Sequence, residues 1–261
     1  LIYRISKIKI FDPACGSGNF LIITYRELRL LEIDILRELF KNQIATNIQS
    51  ILWLDVDQFY GIEYDEFASK IAEVAMWLID HQMNMRVSEE FGEYFARLPL
   101  KKAAKIVHGN SLRINWEDVV PKTELSYIIG NPPFYGKSLQ TKEQKEDMKL
   151  VFGKLKGAGV LDYVAAWYYK AAKYILETNI KVGFVSTNSI TQGERTGILW
   201  HELLNVYKVK IHFAHQTFSW SNEAKGKAAV HCVIIGFAIF DVKDKFLFEY
   251  DNIKEETQVK K

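Results

Sequence analysis

The sequence predicts an α/β fold: a doubly wound, largely parallel sheet of seven strands, the last antiparallel, with helices on both faces. Three observations carry this. Short β-branched runs alternate with longer apolar patterns of helical spacing, as repeated strand-helix-strand units require. No internal repeat or Gly/Ser-rich linker divides the 261 residues, which favours a single domain over residues 1–261. The runs also end, one after another, in residues suited to ligand chemistry, and open parallel sheets gather their ligands outside the carboxyl ends of the strands.

Lys7 to Phe11, KIKIF, is the first strand and stops at the small-residue turn DPACGSG. From Asn19 to about Phe40, Leu21, Tyr25, Leu28, Leu31, Ile35 and Leu39 recur at helical spacing and predict a long amphipathic helix. Gln58 to Glu63 is the second strand. Asp65 then caps a helix to about Gln82 with Phe67, Ile71, Val74 and Leu78 as its apolar face. Lys105 to Gly109 and Leu125 to Gly130 are the third and fourth strands, the fourth running into Asn-Pro-Pro-Phe. Tyr135 to Leu161 holds four glycines and six lysines with weak periodicity, so a long loop with one helical turn is expected. Asp162 caps a helix through Tyr163, Trp167, Ala171 and Ile175. Val182 to Thr187 is the fifth strand and Gly197 to Val206 a short helix. Val209 to His215 and Ala229 to Phe240 close the chain as two strands.

Lys+Arg number 34 and Asp+Glu 32, a formal net charge of +2, and 48% of residues are apolar. This excludes a polybasic tail or an acidic disordered domain, but not a local basic face. Cys15 and Cys232 are too few and too distant for a disulfide scaffold or a metal-ligand spacing, which favours a reducing, cytoplasmic setting. The longest nearly uncharged apolar stretch, Ala228 to Phe240, falls short of the ~20 residues of a membrane span, so no membrane association is expected. The chain begins at Leu1 rather than Met, which reads as a fragment or a processed chain.

Strand, glycine turn and helix place Gly16 and Gly18 where the backbone turns tightly and lets a ligand approach. A bare G-x-G also fits a simple strand-to-helix turn. The dinucleotide fingerprint needs a third glycine where Leu21 stands, and G-x-x-x-x-G-K-[ST] has no match. Asp12 instead puts a carboxylate beside the turn, suited to an amino group or positive charge. The two oxygens of Glu63 suit the hydroxyls of a ribose. Together they describe a pocket for a nucleoside with a cationic or zwitterionic tail, and S-adenosylmethionine is such a molecule.

Asn131-Pro132-Pro133-Phe134 ends the fourth strand. The prolines remove two donors and fix φ near −65°, and Pro132 holds Asn131 extended. The Asn131 side-chain oxygen and the Pro132 carbonyl form a pair of acceptors for a planar NH₂ group, and Phe134 offers a flat face to a heteroaromatic ring. Two acceptors gripping both N–H bonds favour a pyramidal amine whose lone pair is aimed at an electrophilic methyl, so positioning and electrostatics replace a strong base.

FDPACGSGNF, GIEYD, GNSL and NPPF, in this order, resemble motifs I to IV of the class I S-adenosylmethionine-dependent amino-methyltransferases. The spelling is similar to the gamma-type adenine-N6 DNA methyltransferases, and especially to the methyltransferase region of MmeI-type fused restriction-modification enzymes. The resemblance runs from about Ile8 to Phe240. It implies a Rossmann-like class I methyltransferase fold, S-adenosylmethionine as cofactor and double-stranded DNA as partner. By it, Asp12, Pro13, Ala14, Gly16, Gly18 and Phe20 line the cofactor's methionine end, Glu63 holds the ribose and Tyr64 packs on its adenine. Asn110 stands where many relatives carry Asp toward that adenine's amino group. Asn131 and Pro132, with Pro133 and Phe134, form the catalytic loop. Phe134 stacks on the flipped base, and Phe218, with Trp220 as second choice, faces it from the other side.

The alternatives within amino-methylation are protein glutamine and ribosomal RNA; outside it stands a non-catalytic S-adenosylmethionine- or DNA-binding module. The resemblance further implies a cofactor motif upstream and a target-recognition domain downstream, and it allows a fused nuclease. Both ends of this chain are too short to hold them, so weak methylation by the chain alone is expected. No metal is expected: His108, His201, His212, His215 and His231 lack ligand spacing. Cys15 reads as a small residue packed under the turn, and Tyr163, Trp167, Tyr168, Tyr169 and Tyr174 as core. From Phe134 to Gly157 six lysines face three acids, a local surplus of 6 − 3 = +3 beside the proposed catalytic loop.

Overall fold

A computed structural model of the chain describes residues 2–40, 52–92, 103–193, 196–220, 230–250 and 258–260. They gather into two compact units: Leu1–Ser111 with Glu117–Ser126, and Leu112–Trp116 with Tyr127–Lys261.

The first unit begins with a single helical turn, α1 (Ile2–Ile5), and then alternates β1 (Ile10–Asp12), α2 (Asn19–Leu39), β2 (Phe59–Glu63), α3 (Glu66–Phe91) and β3 (Lys105–His108). β1 pairs with β2 in parallel, and β2 with β3. This is the predicted alternation, and each strand carries its connecting helix. α2 starts at Gly18, whose φ of +87° belongs to the region that favours glycine, and a Cβ there would lie 3.2 Å from Ala72 Cβ. The absence of a side chain therefore lets the first turn of α2 rest on α3. α3 is capped as predicted: the Asp65 carboxylate accepts the Ala68 N–H at 2.7 Å. It runs further than its pattern indicates, to Phe91, and is capped by Gly92, whose φ is +74°.

The faces of these helices correct the hydropathy reading. On α3 the predicted apolar stripe lies outward: Phe67 is 76% exposed, and Ile71, Val74 and Leu78 are exposed as well. Ser69, Ala72, Met76, Ile79, Asp80, Met83, Asn84 and Val87 are buried instead. On α2 the predicted face holds at its start, where Leu21 and Tyr25 are buried, and fails further on: Leu28 and Ile35 are half-buried, Leu31 and Leu39 are exposed, and Arg29 and Glu32 are buried. The cause is a largely hydrogen-bonded polar cluster between the helices, in which Arg29 Nε and Glu32 Oε2, buried without hydrogen bonds, face each other as an ion pair at 3.6 Å. Arg29 donates to the Leu54 carbonyl at 3.2 Å and to Asn84 Oδ1 at 2.9 Å. Glu32 Oε1 accepts the N–H groups of Trp53 and Leu54, and Asp80 accepts from Tyr25 Oη at 2.6 Å and from Asn84 Nδ2 at 3.1 Å. Hydrogen-bonded in this way, polar groups tolerate burial that their transfer cost alone would forbid.

The second unit holds β4 (Tyr127–Gly130), α4 (Lys142–Phe152), α5 (Ala165–Tyr174), β5 (Lys181–Thr187), α6 (Thr196–His201), β6 (Lys210–Trp220), β7 (Val230–Ala238), β8 (Phe246–Glu249) and β9 (Gln258–Lys260). β4 and β5 are parallel; β7 then lies antiparallel between β5 and β6. The antiparallel last strand of the prediction is thus present. β8 pairs in parallel with β6, and β9 antiparallel with β8, so nine strands stand among the described residues where seven were expected. The aromatic and β-branched-poor run FLFE of β8 is short enough to read as a tail.

Two helical regions also differ from expectation. The loop expected after Tyr135 contains α4, whose capping box joins Thr141 Oγ1 to the Gln144 N–H and Gln144 Oε1 to the Thr141 N–H. It is fixed from below by Asp147, which accepts from Arg113 Nε at 2.6 Å and from Tyr163 Oη at 2.8 Å. α6 passes directly into a π-helical turn, Glu202–Val206. Tyr163, Trp167, Ala171 and Ile175, in and around α5, are buried as predicted, with Tyr168 stacked against Phe237 at 5.8 Å. Gly236 lets the Phe213 ring lie against the backbone of β7, since a Cβ there would meet that ring at 2.0 Å.

Candidate active site

In the first unit β1 delivers Asp12 to the glycine turn. Asp12 is 1% exposed; its Oδ1 accepts the Ala14 N–H at 3.0 Å, and its Oδ2 is buried with no hydrogen-bond partner. Burial, reinforced by the neighbouring Glu63 charge and opposed by the Ala14 N–H, pushes its carboxyl up to about 7. A half-satisfied buried carboxylate of this kind calls for a cationic donor. Gly16 has φ +55°, and a Cβ built on it meets nothing within 4 Å, so backbone there lies open to a ligand. Gly18 instead serves the packing of α2 on Ala72. The Pro13 ring is buried, and Ala14 and Phe20 are half-buried.

Glu63, at the end of β2, is tied into the same turn. Its Oε2 accepts the Gly16 N–H at 2.8 Å and its Oε1 the Asp65 N–H at 2.9 Å. One carboxylate therefore joins the glycine turn to the start of α3, each oxygen keeping a further lone pair for a hydroxyl donor. No periodicity or spacing signals this bridge. Tyr64 is 62% exposed, and its carbonyl contacts His108 Nε2 at 3.1 Å. Asn110 follows β3, whose end is held by the Gly109 N–H donating to the Glu63 carbonyl at 2.8 Å. The structure thus brings Asp12, Ala14, Gly16, Glu63 and Tyr64 together at the carboxyl ends of β1 and β2.

Cys15 packs beneath the turn: a Cβ on Gly61 would stand 2.8 Å from its Sγ. Burial, with the charges of Asp12 and Glu63, holds the thiol well above its ordinary range. It is a neutral packing group, not a nucleophile.

In the second unit β4 ends just before Asn131. The Asn131 Oδ1 atom is buried and has no hydrogen-bond partner, an acceptor held ready for an N–H donor. Pro132 is buried, and Pro133 and Phe134 are half-buried. Tyr135 is fixed on both backbone sides: its N–H donates to Asp162 Oδ1 at 3.0 Å and its carbonyl accepts the Tyr163 N–H at 3.0 Å. The sequence pattern marks Asp162 only as a helix cap. It stands two residues before the observed N-cap, Val164, and accepts that residue's N–H at 3.2 Å. Phe218 lies on β6 opposite Cys232, beside a register shift, with its ring 5.7 Å from that of Tyr250. Trp220 ends β6, and its side chain lies outside the described residues.

Of the histidines without ligand spacing, His212 bonds the Phe240 carbonyl and His215 the Tyr250 hydroxyl. Among the described residues no three His, Cys, Asp or Glu side chains form a metal-holding group, and no helix is long and apolar enough to cross a membrane.

Parallel strands alternating with helices, with β7 antiparallel between β5 and β6, make the strand pattern of the class I S-adenosylmethionine-dependent methyltransferase fold. A methyltransferase assigned to that class from Listeria monocytogenes shares it at TM-score 0.53 and 15% identity, over 97% of this chain and 64% of that one. Within the class, residues 1–249 match the MmeI DNA-methyltransferase domain, and the chain belongs to that family. The Type IIL restriction-modification enzyme MmeI, solved in complex with DNA, superposes at TM-score 0.93 with 55% identity, over 98% of this chain and 34% of MmeI. DNA methyltransferase A of Bacillus subtilis strain 168 is 47% identical over 252 residues, 95% of this chain and 28% of that protein. The chain therefore spans about a third of the length of these relatives.

Proposed function

We propose that residues 1–261 form a single methyltransferase catalytic region that transfers a methyl group from S-adenosylmethionine to the N6 amine of an adenine flipped out of double-stranded DNA. In this reading it works within a restriction-modification enzyme, alongside target-recognition and nuclease parts. The observation that carries the reading is the buried, unpartnered Asn131 Oδ1 at the head of a Pro-Pro-Phe turn.

The residues of the first unit suit the cofactor. Asp12 Oδ2 takes the ammonium of its methionine end, the open backbone at Gly16 lets that end approach, and the free lone pairs of Glu63 take the ribose hydroxyls. Pro13, Ala14, Gly18 and Phe20 shape the turn, while Tyr64 and Asn110 flank the adenine. Bound S-adenosylmethionine supplies an electrophilic methyl on a sulfonium.

The residues of the second unit prepare the acceptor. Asn131 Oδ1 and the Pro132 carbonyl accept the two N–H bonds of the amine. This draws its lone pair out of conjugation with the ring and stabilises the positive charge that grows on nitrogen as the new C–N bond forms. Phe134 stacks on one face of the base, and Phe218, or Trp220 in its place, on the other. Such stacking is worth roughly 1–3 kcal/mol per base, which offsets part of the few kcal/mol of extrusion. The membership of the MmeI family and its DNA-bound relative favour DNA over protein glutamine or ribosomal RNA.

The test offers methyl-labelled S-adenosylmethionine with duplex DNA, RNA and protein and identifies the methylated atom. Label on adenine N6 is expected. Label on cytosine, RNA or protein would overturn the reading.

A further inference from the structure

We propose that Asp162 is a positioning residue for the amine-gripping loop, acting through Tyr135 on Asn131 and Phe134. The proposal rests on the function proposed above and deepens it.

The loop leaves β4 at Asn131 and passes through two prolines, which have no N–H with which to tether it. Its next residues are Phe134 and Tyr135, and at Tyr135 the backbone is held on both sides. The Tyr135 N–H donates to Asp162 Oδ1 at 3.0 Å. The Tyr135 carbonyl accepts the Tyr163 N–H at 3.0 Å and Gln140 Nε2 at 3.0 Å, and the same Gln140 amide also donates to the Leu161 carbonyl. Asp162 is itself fixed from two further elements. Its Oδ1 accepts the Val164 N–H at 3.2 Å, ahead of α5, and its Oδ2 accepts the Ser189 hydroxyl at 3.2 Å, just beyond β5. Ser189 Oγ in turn lies 2.7 Å from Thr187 Oγ1.

One carboxylate thus ties three chain segments together one residue beyond the aromatic that stacks on the base. Asp162 and Ser189 also border an open pocket of about 340 Å³. Truncating either removes hydrogen bonds without hollowing a packed core. β4 on one side, and stiff prolines anchored by this clamp on the other, fix where Asn131 Oδ1 stands, and displacement of a reacting group by about 1 Å costs on the order of 10²-fold in rate.

The test compares wild type, Asp162→Ala, Asp162→Asn and Ser189→Ala. Amide hydrogen exchange is read at Tyr135, and kcat and KM are read with a duplex whose target adenine is unpaired. Asparagine keeps the Oδ1 acceptor, and its NH₂ donates to Ser189 Oγ. The alanine variant is expected to release the Tyr135 amide to exchange and to lower kcat about 10²-fold, with the KM for S-adenosylmethionine within about threefold of wild type. Asp162→Asn is expected to restore both, and Ser189→Ala to produce a smaller change in the same direction. Unchanged exchange at Tyr135 in Asp162→Ala would overturn the proposal. So would wild-type kcat in that variant, or an equal loss in the alanine and asparagine variants. A wild type that labels no DNA adenine would instead fail the functional reading, and exchange at Tyr135 would still decide the clamp.

Discussion

The role proposed for Asp12 makes cofactor affinity depend on pH in one direction. Its carboxyl is pushed up to about 7 by burial, with the Glu63 charge adding to the shift and the Ala14 N–H opposing it. A ligand ammonium pairs only with the anion. Between pH 5.5 and 7 the anionic fraction of a group with pKa about 7 rises from ~3% to ~50%, while an α-amino group of pKa about 7.7–8.0 stays mostly protonated. The association constant for S-adenosylhomocysteine, which keeps the same amino-acid tail, should therefore rise about fifteenfold over that range. Binding near pH 6 should release close to one proton. Isothermal titration calorimetry in two buffers of different protonation enthalpy measures both. Asp12→Asn should bind more weakly at pH 7 and show neither the slope nor the proton. An equal slope in Asp12→Asn, or proton uptake on binding, would remove Asp12 from this role. The unliganded chain carries the complementary signature. Its folded state holds the Asp12 proton more tightly than the unfolded state does, so this group makes stability fall as pH rises from about 4 to about 7.

Arg29→Met should destabilise the chain by about 3–5 kcal/mol in denaturant titration, because it strands the buried Glu32 carboxylate, whose Oε2 lies 3.6 Å from Arg29 Nε; a loss below about 1 kcal/mol would contradict the role given to that cluster. Gly236→Ala should cost about 1–3 kcal/mol through its clash with the Phe213 ring, and Phe213→Ala in the same chain should recover part of that cost. Replacing Lys137 and Lys142, both exposed and following the proposed catalytic loop in sequence, by Gln should flatten the dependence of log K for DNA on log salt by about 0.9 for each phosphate no longer neutralised. An unchanged slope would make them a solvated face.

The αβ alternation and the turns at the strand ends are legible in the sequence, because these turns need particular residues. Gly18 must be glycine to pass Ala72, and the following proline biases Asn131 toward extended backbone. The helix faces are not legible. Arg29, Glu32, Asp80 and Asn84 read as outward polar residues, and only their mutual hydrogen bonds permit the burial that turns Phe67 and Leu78 outward. α4 is hidden for a related reason: KEQKEDMKLVF has little apolar content, and its stability comes from the Thr141–Gln144 capping box and the buried Asp147. The Glu63 bridge to Gly16 spans 47 positions and the Asp162 clamp on Tyr135 spans 27. Hydrogen bonds between residues so far apart leave no periodic trace.

Whether Asn131 grips the amine of a flipped adenine is decided by methyl transfer from labelled S-adenosylmethionine to duplex DNA, with the methylated base identified by mass spectrometry, in wild type and in Asn131→Ala. The wild type should yield N6-methyladenine. The variant should lose about 10²–10³ in kcat, the scale of removing one preorganised transition-state hydrogen bond, with S-adenosylhomocysteine binding unchanged. Undiminished methylation by Asn131→Ala, or label on any other atom, would show that the amine is held elsewhere.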